Sequence, residues 1–263
     1  MEYEEVKIEK AESIAVLTLS RPERLNALTM KMMREFHKVF KELEEDDDVR
    51  VLIITGAGRG FCAGADVDLL ASITQLGSHL PRWERLQAIG AFAMQLYNLE
   101  KPVIAAVNGM AAGAGVSIAL LSDMRMASEK AEFCMAFVAR GVIPDCGATF
   151  LMPRLLGAGK SFELMYTGDI IDAKEAERVG LVNKVVPHDK LMDEATALAK
   201  KLAKGPPLAL AQIRRAVHSG FLNNLEQQLY FETYAQNFCF GTEDFAEGVN
   251  SFLEKREPQF KGR

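Results

Sequence analysis

The chain is short of cysteine, histidine and positive charge. Its 263 residues include four cysteines and four histidines. No two of Cys62, Cys134, Cys146 and Cys239 form a C-x-x-C pair, which argues against a zinc or dithiol site and for reduced thiols. His37, His79, His188 and His218 show no metal-ligand spacing, so they read as surface or loop residues and no metal is expected. Lys and Arg total 31 against 36 Asp and Glu, a net charge of -5. A chain of that sign repels phosphate backbones, so no nucleic-acid partner is expected. Any anionic ligand would have to be held by local features such as backbone N–H groups. The start, Met1-Glu2-Tyr3-Glu4-Glu5, lacks the apolar core of a secretory leader, and a cytoplasmic location is expected. The sequence also lacks a repeat of fixed period and any low-complexity tract.

One uncharged run, Val103 to Leu121, has the length of a membrane span. Asn108-Gly109, Gly113 and Gly115 interrupt it, which predicts strand, turn and helix instead of a crossing. Nucleotide signatures are missing too. Gly56-x-Gly58-x-x-Phe61 and Gly113-x-Gly115-x-x-Ile118 each lack the third glycine of a dinucleotide turn, and neither ends in the Gly-Lys-Ser/Thr of a phosphate loop.

What remains is the composition of a globular chain with a core, 49% hydrophobic and 25% charged. Residues 6–20 read as a β-hairpin, with Ile14, Val16 and Thr18 alternating with Ala15, Leu17 and Leu19. Thr29 is placed to cap a helix whose apolar face carries Met32, Phe36, Val39 and Leu43. Val49 to Thr55 and Pro102 to Val107 read as buried strands, Glu84 to Leu99 and Val116 to Leu121 as helices, and residues 67–83 as irregular. Alternating strands and helices predict an α/β core with parallel pairing. Helices then take over: a capping box at Asp172-x-x-Glu175, then 187–204, 206–218 and Leu225 onward. We divide the chain into a core over 1–190 and a helical region over 191–263.

The two glycine-rich turns each follow a buried strand. Small residues there let backbone N–H groups approach a ligand, and two such turns could point two N–H groups at one carbonyl oxygen. Tight turns that merely allow close packing have the same spacing, and spacing alone leaves both uses open. Asp145, between Pro144 and Cys146-Gly147, has two uses in the same way: an N-cap for a helix near Ala148, or an acid/base group. Ser117, in Gly115-x-Ser117-x-Ala119, lacks the second glycine of a nucleophile elbow.

The segment Lys101-Pro102-Val103-Ile104-Ala105-Ala106-Val107-Asn108-Gly109-Met110-Ala111-Ala112-Gly113-Ala114-Gly115 closely resembles the signature of the crotonase (enoyl-CoA hydratase/isomerase) superfamily. So do Gly60-Phe61-Cys62-Ala63-Gly64-Ala65-Asp66, Asp123-x-Arg125-x-Ala127-Ser128, Ile143-Pro144-Asp145-x-Gly147 and Leu151-x-Pro153-Arg154. The likeness continues through 168–186 and 248–260, nearly the whole chain. It implies a crotonase-like spiral of β-β-α units with a C-terminal helical trimerisation region, assembled as a homotrimer or homohexamer. It implies a CoA thioester as substrate and no separate cofactor. The thioester carbonyl would sit on the N–H groups of Ala65 and Ala114. Ala63 and the segment Ala65, Asp66, Val67 and Asp68 would line the CoA arm, with Arg24 to Ala27 near its nucleotide end.

The departures from the family pattern are informative. Hydratases of the superfamily carry two glutamates, and Ser117 and Phe137 stand at the matching positions. Hydration needs groups to hold, activate and protonate around one water. Phe137 takes no proton and Ser117 has no base beside it. Isomerase members place an acidic residue where Asp145 stands. Phe133 to Phe137 and Ile143 to Gly147 look most like the epoxyphenylacetyl-CoA isomerase type. Dehalogenase-like members use an aspartate there as a nucleophile, with an activating His and Trp. His79 and Trp83 are not assigned to those roles. The expectation is therefore an acyl-CoA isomerase with Asp145 as its single base. Its rivals are a hydratase or hydrolase with a second acid/base group elsewhere, and an inactive CoA-binding protein.

Overall fold

The computed structural model describes residues 3–76 and 82–263. Strand pairs alternate between two sheets. β1 (Val6–Ala11) and β2 (Ile14–Leu19) form the expected antiparallel hairpin at the edge of the larger sheet. Then β3 (Val51–Gly56), β5 (Val103–Val107), β7 (Met124–Ser128) and β10 (Lys184–Val186) add in parallel. Each of the inner three is followed by a short strand of the second sheet: β4 (Gly60–Cys62), β6 (Met110–Ala112) and β8 (Glu132–Cys134). β9 (Ile170–Asp172) closes that sheet antiparallel to β8. Two strands in different sheets followed by a helix form the repeating unit, and the whole is a crotonase-like spiral. The uncharged run from Val103 to Leu121 is thus β5, β6 and α4 (Ala114–Leu121). Among the described residues, no helix is long and apolar enough to cross a membrane.

The central strands are apolar on both sides because both faces are covered. Leu52, Ile54, Ala105 and Val107 belong to the inner core, with Met32, Phe36, Val39 and Leu43 of α1 (Met30–Glu45). Thr29 caps α1 as expected, accepting from the Met32 N–H at 3.0 Å. The alternate residues Val51, Ile53, Ile104 and Ala106 face outward. There α7 (Leu191–Ala203) covers them with Leu191, Ala195, Ala199 and Ala203, a stripe four residues apart whose small side chains bring the helix close.

Three expectations need correction. Residues 67–76 are not irregular but form α2 (Val67–Leu76), started by Asp66, whose Oδ1 accepts from the Asp68 N–H at 2.9 Å. The helix lies at the surface, with Val67 and Ile73 exposed, so no apolar stripe announced it. The capping box at α6 (Ala173–Arg178) is half made: Asp172 accepts from the Glu175 N–H, while the Glu175 carboxylate goes to Arg178. Finally, His218 is no surface or loop residue. It lies on α8 (Pro207–Gly220), half-buried and stacked on Tyr97 with ring centroids 4.0 Å apart. Of the other three, His37 is exposed, His188 lies on a short turn and pairs with Ser128, and His79 falls outside the described residues.

α8 is tied to the core by Arg214, which is buried. Its Nε reaches both Asp123 carboxylate oxygens at 2.9 and 3.0 Å, and its terminal nitrogens donate to the Tyr97 and Leu96 carbonyls, at the C-terminal end of α3 (Arg82–Asn98). Arg214→Ala would take the counter-charge from the Asp123 carboxylate, which keeps the Val103 N–H, and a donor from each of two carbonyls. We expect it to cost about 3 kcal/mol, the scale for breaking one side of a buried pair. Chemical denaturation measures this, and a loss below about 1 kcal/mol would show the pair to be dispensable.

Candidate active site

The glycine-rich turn after β3 is held by two buried side chains. Asn26 donates to the Ala57 and Gly60 carbonyls at 2.9 and 2.8 Å, and Asn108 donates to those of Gly58 and Gly60 at 2.9 and 3.2 Å. These four bonds fix the route of the chain into β4 and on to Ala65. Leu28 pairs there, donating its N–H to the Gly64 carbonyl while its own carbonyl accepts from the Asp66 N–H. The Ala65 N–H has no part in that pairing. Ala114, as the first residue of α4, has an N–H without an intrahelical acceptor.

The two turns abut. Gly64 has φ +86°, and a Cβ built on it would lie 2.8 Å from the Ala112 carbonyl oxygen and 3.5 Å from the Ala114 nitrogen. Gly113 has φ +50° and lies 4.0 Å, by the same construction, from the Gly64 Cα. At Gly64 both the positive φ and the close approach demand glycine; at Gly113 the positive φ alone does. Spacing left these turns open between packing and ligand binding. Ala65 and Ala114 both line one cavity of about 450 Å³.

That cavity gathers most of the expected residues. Arg24, Ala27, Ala63, Ala65, Asp66, Val67, Ala114 and Asp145 all line it. Asp68 is not among them; it is exposed, with its carboxylate 3.5 Å from Arg24. Asp66 lines the cavity, but its carboxylate is bound to Arg21 at 2.8 Å and to the Asp68 N–H. Those contacts hold the Asp66 carboxyl below its usual range against the opposing effect of burial. Two lining arginines, Arg59 and Arg140, were not foreseen. Together with Arg24 they give an acidic protein a local cationic rim, suited to an anionic ligand. Neither lies in a periodic segment, and the sequence signals only a glycine-rich turn around Arg59.

Asp145 lies between a short helical turn (Val138–Arg140) and α5 (Ala148–Thr167, broken at Gly157). Its side chain does not cap α5; the N-cap is Gly147, without a side-chain bond. The helix-cap use is thereby excluded. Asp145 Oδ1 is the one buried side-chain N or O atom among the described residues without a hydrogen-bond partner. Burial pushes the carboxyl above its ordinary range, while the Cys146 thiol and its own backbone hydrogen-bond it and partly oppose the rise. Apolar side chains form one wall of the cavity beside Asp145. Phe137 forms part of that wall, buried, with its ring 3.8 Å from the position of a Gly113 Cβ. Ser117 is fully buried. None of the four cysteines forms a disulfide, and among the described residues no cluster could hold a metal. The side chain of Trp83, like His79, lies outside the described residues.

The spiral α/β core thus brings the Ala65 and Ala114 turns and the Asp145 side chain to one cavity. The sequence pattern of the enoyl-CoA hydratase/isomerase family matches residues 9–263, and the chain belongs to that family, within the crotonase superfamily. It is 40% identical to the 1,2-epoxyphenylacetyl-CoA isomerase of Escherichia coli, over the full length of both. It is 37% identical to the crotonyl-CoA hydratase of Syntrophomonas wolfei, covering 99% of each. A crystal structure of an enoyl-CoA hydratase subunit from Geobacillus kaustophilus superposes with a TM-score of 0.93 at 37% identity, over the whole of both chains. The protein is therefore an acyl-CoA enzyme of the isomerase/hydratase type.

Proposed function

We propose that the protein is an acyl-CoA isomerase that moves a carbon–carbon double bond into conjugation with the thioester, using Asp145 as its single base. The observation that supports this most is the partnerless, buried Oδ1 of Asp145 in the cavity that holds the Ala65 and Ala114 N–H groups. A buried carboxylate oxygen without a partner is costly and has a use if it meets substrate. The thioester oxygen accepts from both N–H groups. Asp145 removes a proton from C2 of a 3-enoyl-CoA, and the electron pair moves into a dienolate held by those donors. The same carboxyl returns the proton to C4, leaving the double bond between C2 and C3. Proton and charge balance, and no separate cofactor takes part. The arginine rim suits the phosphates of CoA. Ser117 and Phe137, where hydratases of the superfamily have glutamates, leave no second acid/base group to manage a water. The substrate is a straight-chain or a ring-derived 3-enoyl-CoA; the likeness to the epoxyphenylacetyl-CoA isomerase favours including ring epoxides in the test.

A turnover screen with 3-enoyl-CoA, 2-enoyl-CoA and ring-epoxide CoA esters tests this. Isomerisation without hydration is expected; hydration of 2-enoyl-CoA with no bond migration would overturn it. The pH profile adds a check. The base works as carboxylate, and its folded pKa is raised, so kcat should fall as pH drops through a value above the ordinary Asp range. A profile flat down to the range of an exposed aspartate would remove Asp145 from the role.

We also propose assembly into a homotrimer or homohexamer through the C-terminal helices. α9 (Leu225–Phe240) buries none of its residues within the chain, and Leu225 and Tyr234 are 75% and 77% exposed. Leu229, Phe238 and Phe240 are exposed as well, so this surface is not folded back onto its own core. An apolar groove of about 710 Å³ runs between α8, α9 and α10 (Glu243–Glu254). Apolar patches of this kind usually meet a partner. Light scattering is expected to give three or six chain masses; a single-chain species would refute the assembly.

A further inference from the structure

The mechanism above uses two elements of the site, the α4 terminus and Asp145, and Ser117 joins them. Ser117 lies on α4 three residues after Ala114, one helical turn along the same face. A hydroxyl inside a helix ordinarily bonds the carbonyl one turn back. Thr74, Ser161, Thr167 and Thr233 all do so here, each to the residue four before it. Ser117 does not. Its Oγ donates at 3.0 Å to the backbone carbonyl of Asp145, 28 residues away in sequence. That carbonyl also accepts from the Ala148 N–H at 3.0 Å, so it is held from two sides. The turn it anchors is strained: Cys146 has φ +50° and Gly147 φ +82°. A left-handed non-glycine residue costs about 1 kcal/mol or more, and it persists only where its neighbours fix it.

We propose that Ser117 is a positioning residue for the base: its hydroxyl clamps the Asp145 backbone and so sets the carboxylate against the oxyanion-binding end of the same helix. The inference rests on the reading of Asp145 as the base. The hydroxyl touches neither substrate nor proton. It ties the height of the carboxylate to the Ala114 N–H through one turn of helix, so donor and base move as one unit. Ser117 is fully buried and bonded to backbone, which is incompatible with a role as nucleophile.

The test compares Ser117→Ala, Ser117→Cys and Ser117→Thr in the full chain. Cys offers a weaker donor on a somewhat larger atom; Thr keeps the hydroxyl and adds a methyl. We expect Ala to lower kcat for 3-enoyl-CoA on the order of 10- to 100-fold, the scale of a misplaced catalytic group, with KM nearly unchanged. Cys should fall between, and Thr should recover most of the rate. A second readout needs no turnover: ¹³C NMR titration of the Asp145 carboxyl, assigned by its loss in Asp145→Asn. In Ser117→Ala the relaxed turn lets the carboxyl reach solvent, and its titration should move down toward the ordinary Asp range. Wild-type kcat in Ser117→Ala, or an unchanged Asp145 titration, would overturn the inference. If the wild-type protein shows no isomerisation, the proposed function falls, while the titration still decides whether Ser117 holds the carboxylate.

Discussion

Asp145→Asn is expected to lower isomerase kcat by at least about 10³-fold while leaving CoA-ester binding largely intact. The change keeps the volume of the side chain and removes its capacity to take a proton. A positioned general base contributes roughly 10²- to 10⁴-fold, and in the proposed mechanism one group serves both proton transfers, which places the loss in the upper part of that range. The arginine rim and the Ala65 and Ala114 N–H groups are untouched, so the dissociation constant for a non-reacting acyl-CoA should barely move. Stability should move the other way from activity. The folded pKa of Asp145 is raised above its unfolded value, so the unfolded chain loses this proton first as pH rises. Stability therefore falls as pH climbs from the unfolded to the folded pKa, and above both the full cost of the buried charge is present. An amide does not ionise, so Asp145→Asn should melt no lower than wild type at neutral pH, and relatively higher there than in acid. Steady-state kinetics, calorimetric binding and thermal melts at two pH values check the three parts. A folded variant with more than a tenth of wild-type kcat would eliminate the one-base mechanism.

Much of the architecture was legible because it follows from periodicity and turn chemistry. β1 and β2 alternate as a half-covered hairpin should, and β3 and β5 are short β-branched or alanine runs bounded by turn residues. Thr29 and the apolar face of α1 are local signals that tertiary packing merely uses. α2 was missed because its start depends on the Asp66 carboxylate, whose position is fixed by Arg21 across 45 residues of sequence. His218 was misplaced for a similar reason: its burial depends on stacking against Tyr97, which only the docking of α8 creates. The site divides in the same way. The turns around Gly64 and Gly113 follow from local composition, and the structure brings them together at a distance that spacing alone does not give. Asp145 was visible as a carboxylate on a turn, but not the absence of a partner for its Oδ1 or the hydroxyl behind its carbonyl. Arg59 and Arg140 reach the cavity from separate loops, and no one-dimensional pattern links them.

Ala114→Pro should be nearly as damaging as the loss of the base, through a different route. Proline has no N–H, and at this position that is almost the only local change. Ala114 is the first residue of α4, where a helix tolerates proline because the N–H there has no intrahelical partner and φ is already suitable. Gly113 before it has no Cβ to collide with the ring, so the usual restriction on the preceding residue is relaxed. The helix should therefore survive while one of the two proposed donors to the dienolate oxygen is lost. Removing a single oxyanion donor typically costs 10²- to 10³-fold in kcat, roughly 3–4 kcal/mol of barrier. The ring also projects into the space the oxygen would occupy, which places the expected loss at the upper end. Far-UV circular dichroism should match wild type, and the ¹³C titration of Asp145 should stay raised, because the carboxylate and its burial are unchanged. That combination separates this variant from one that collapses the site. If folded Ala114→Pro keeps kcat within about 10-fold of wild type, the thioester oxygen does not depend on the α4 terminus, and the carbonyl must be polarised elsewhere.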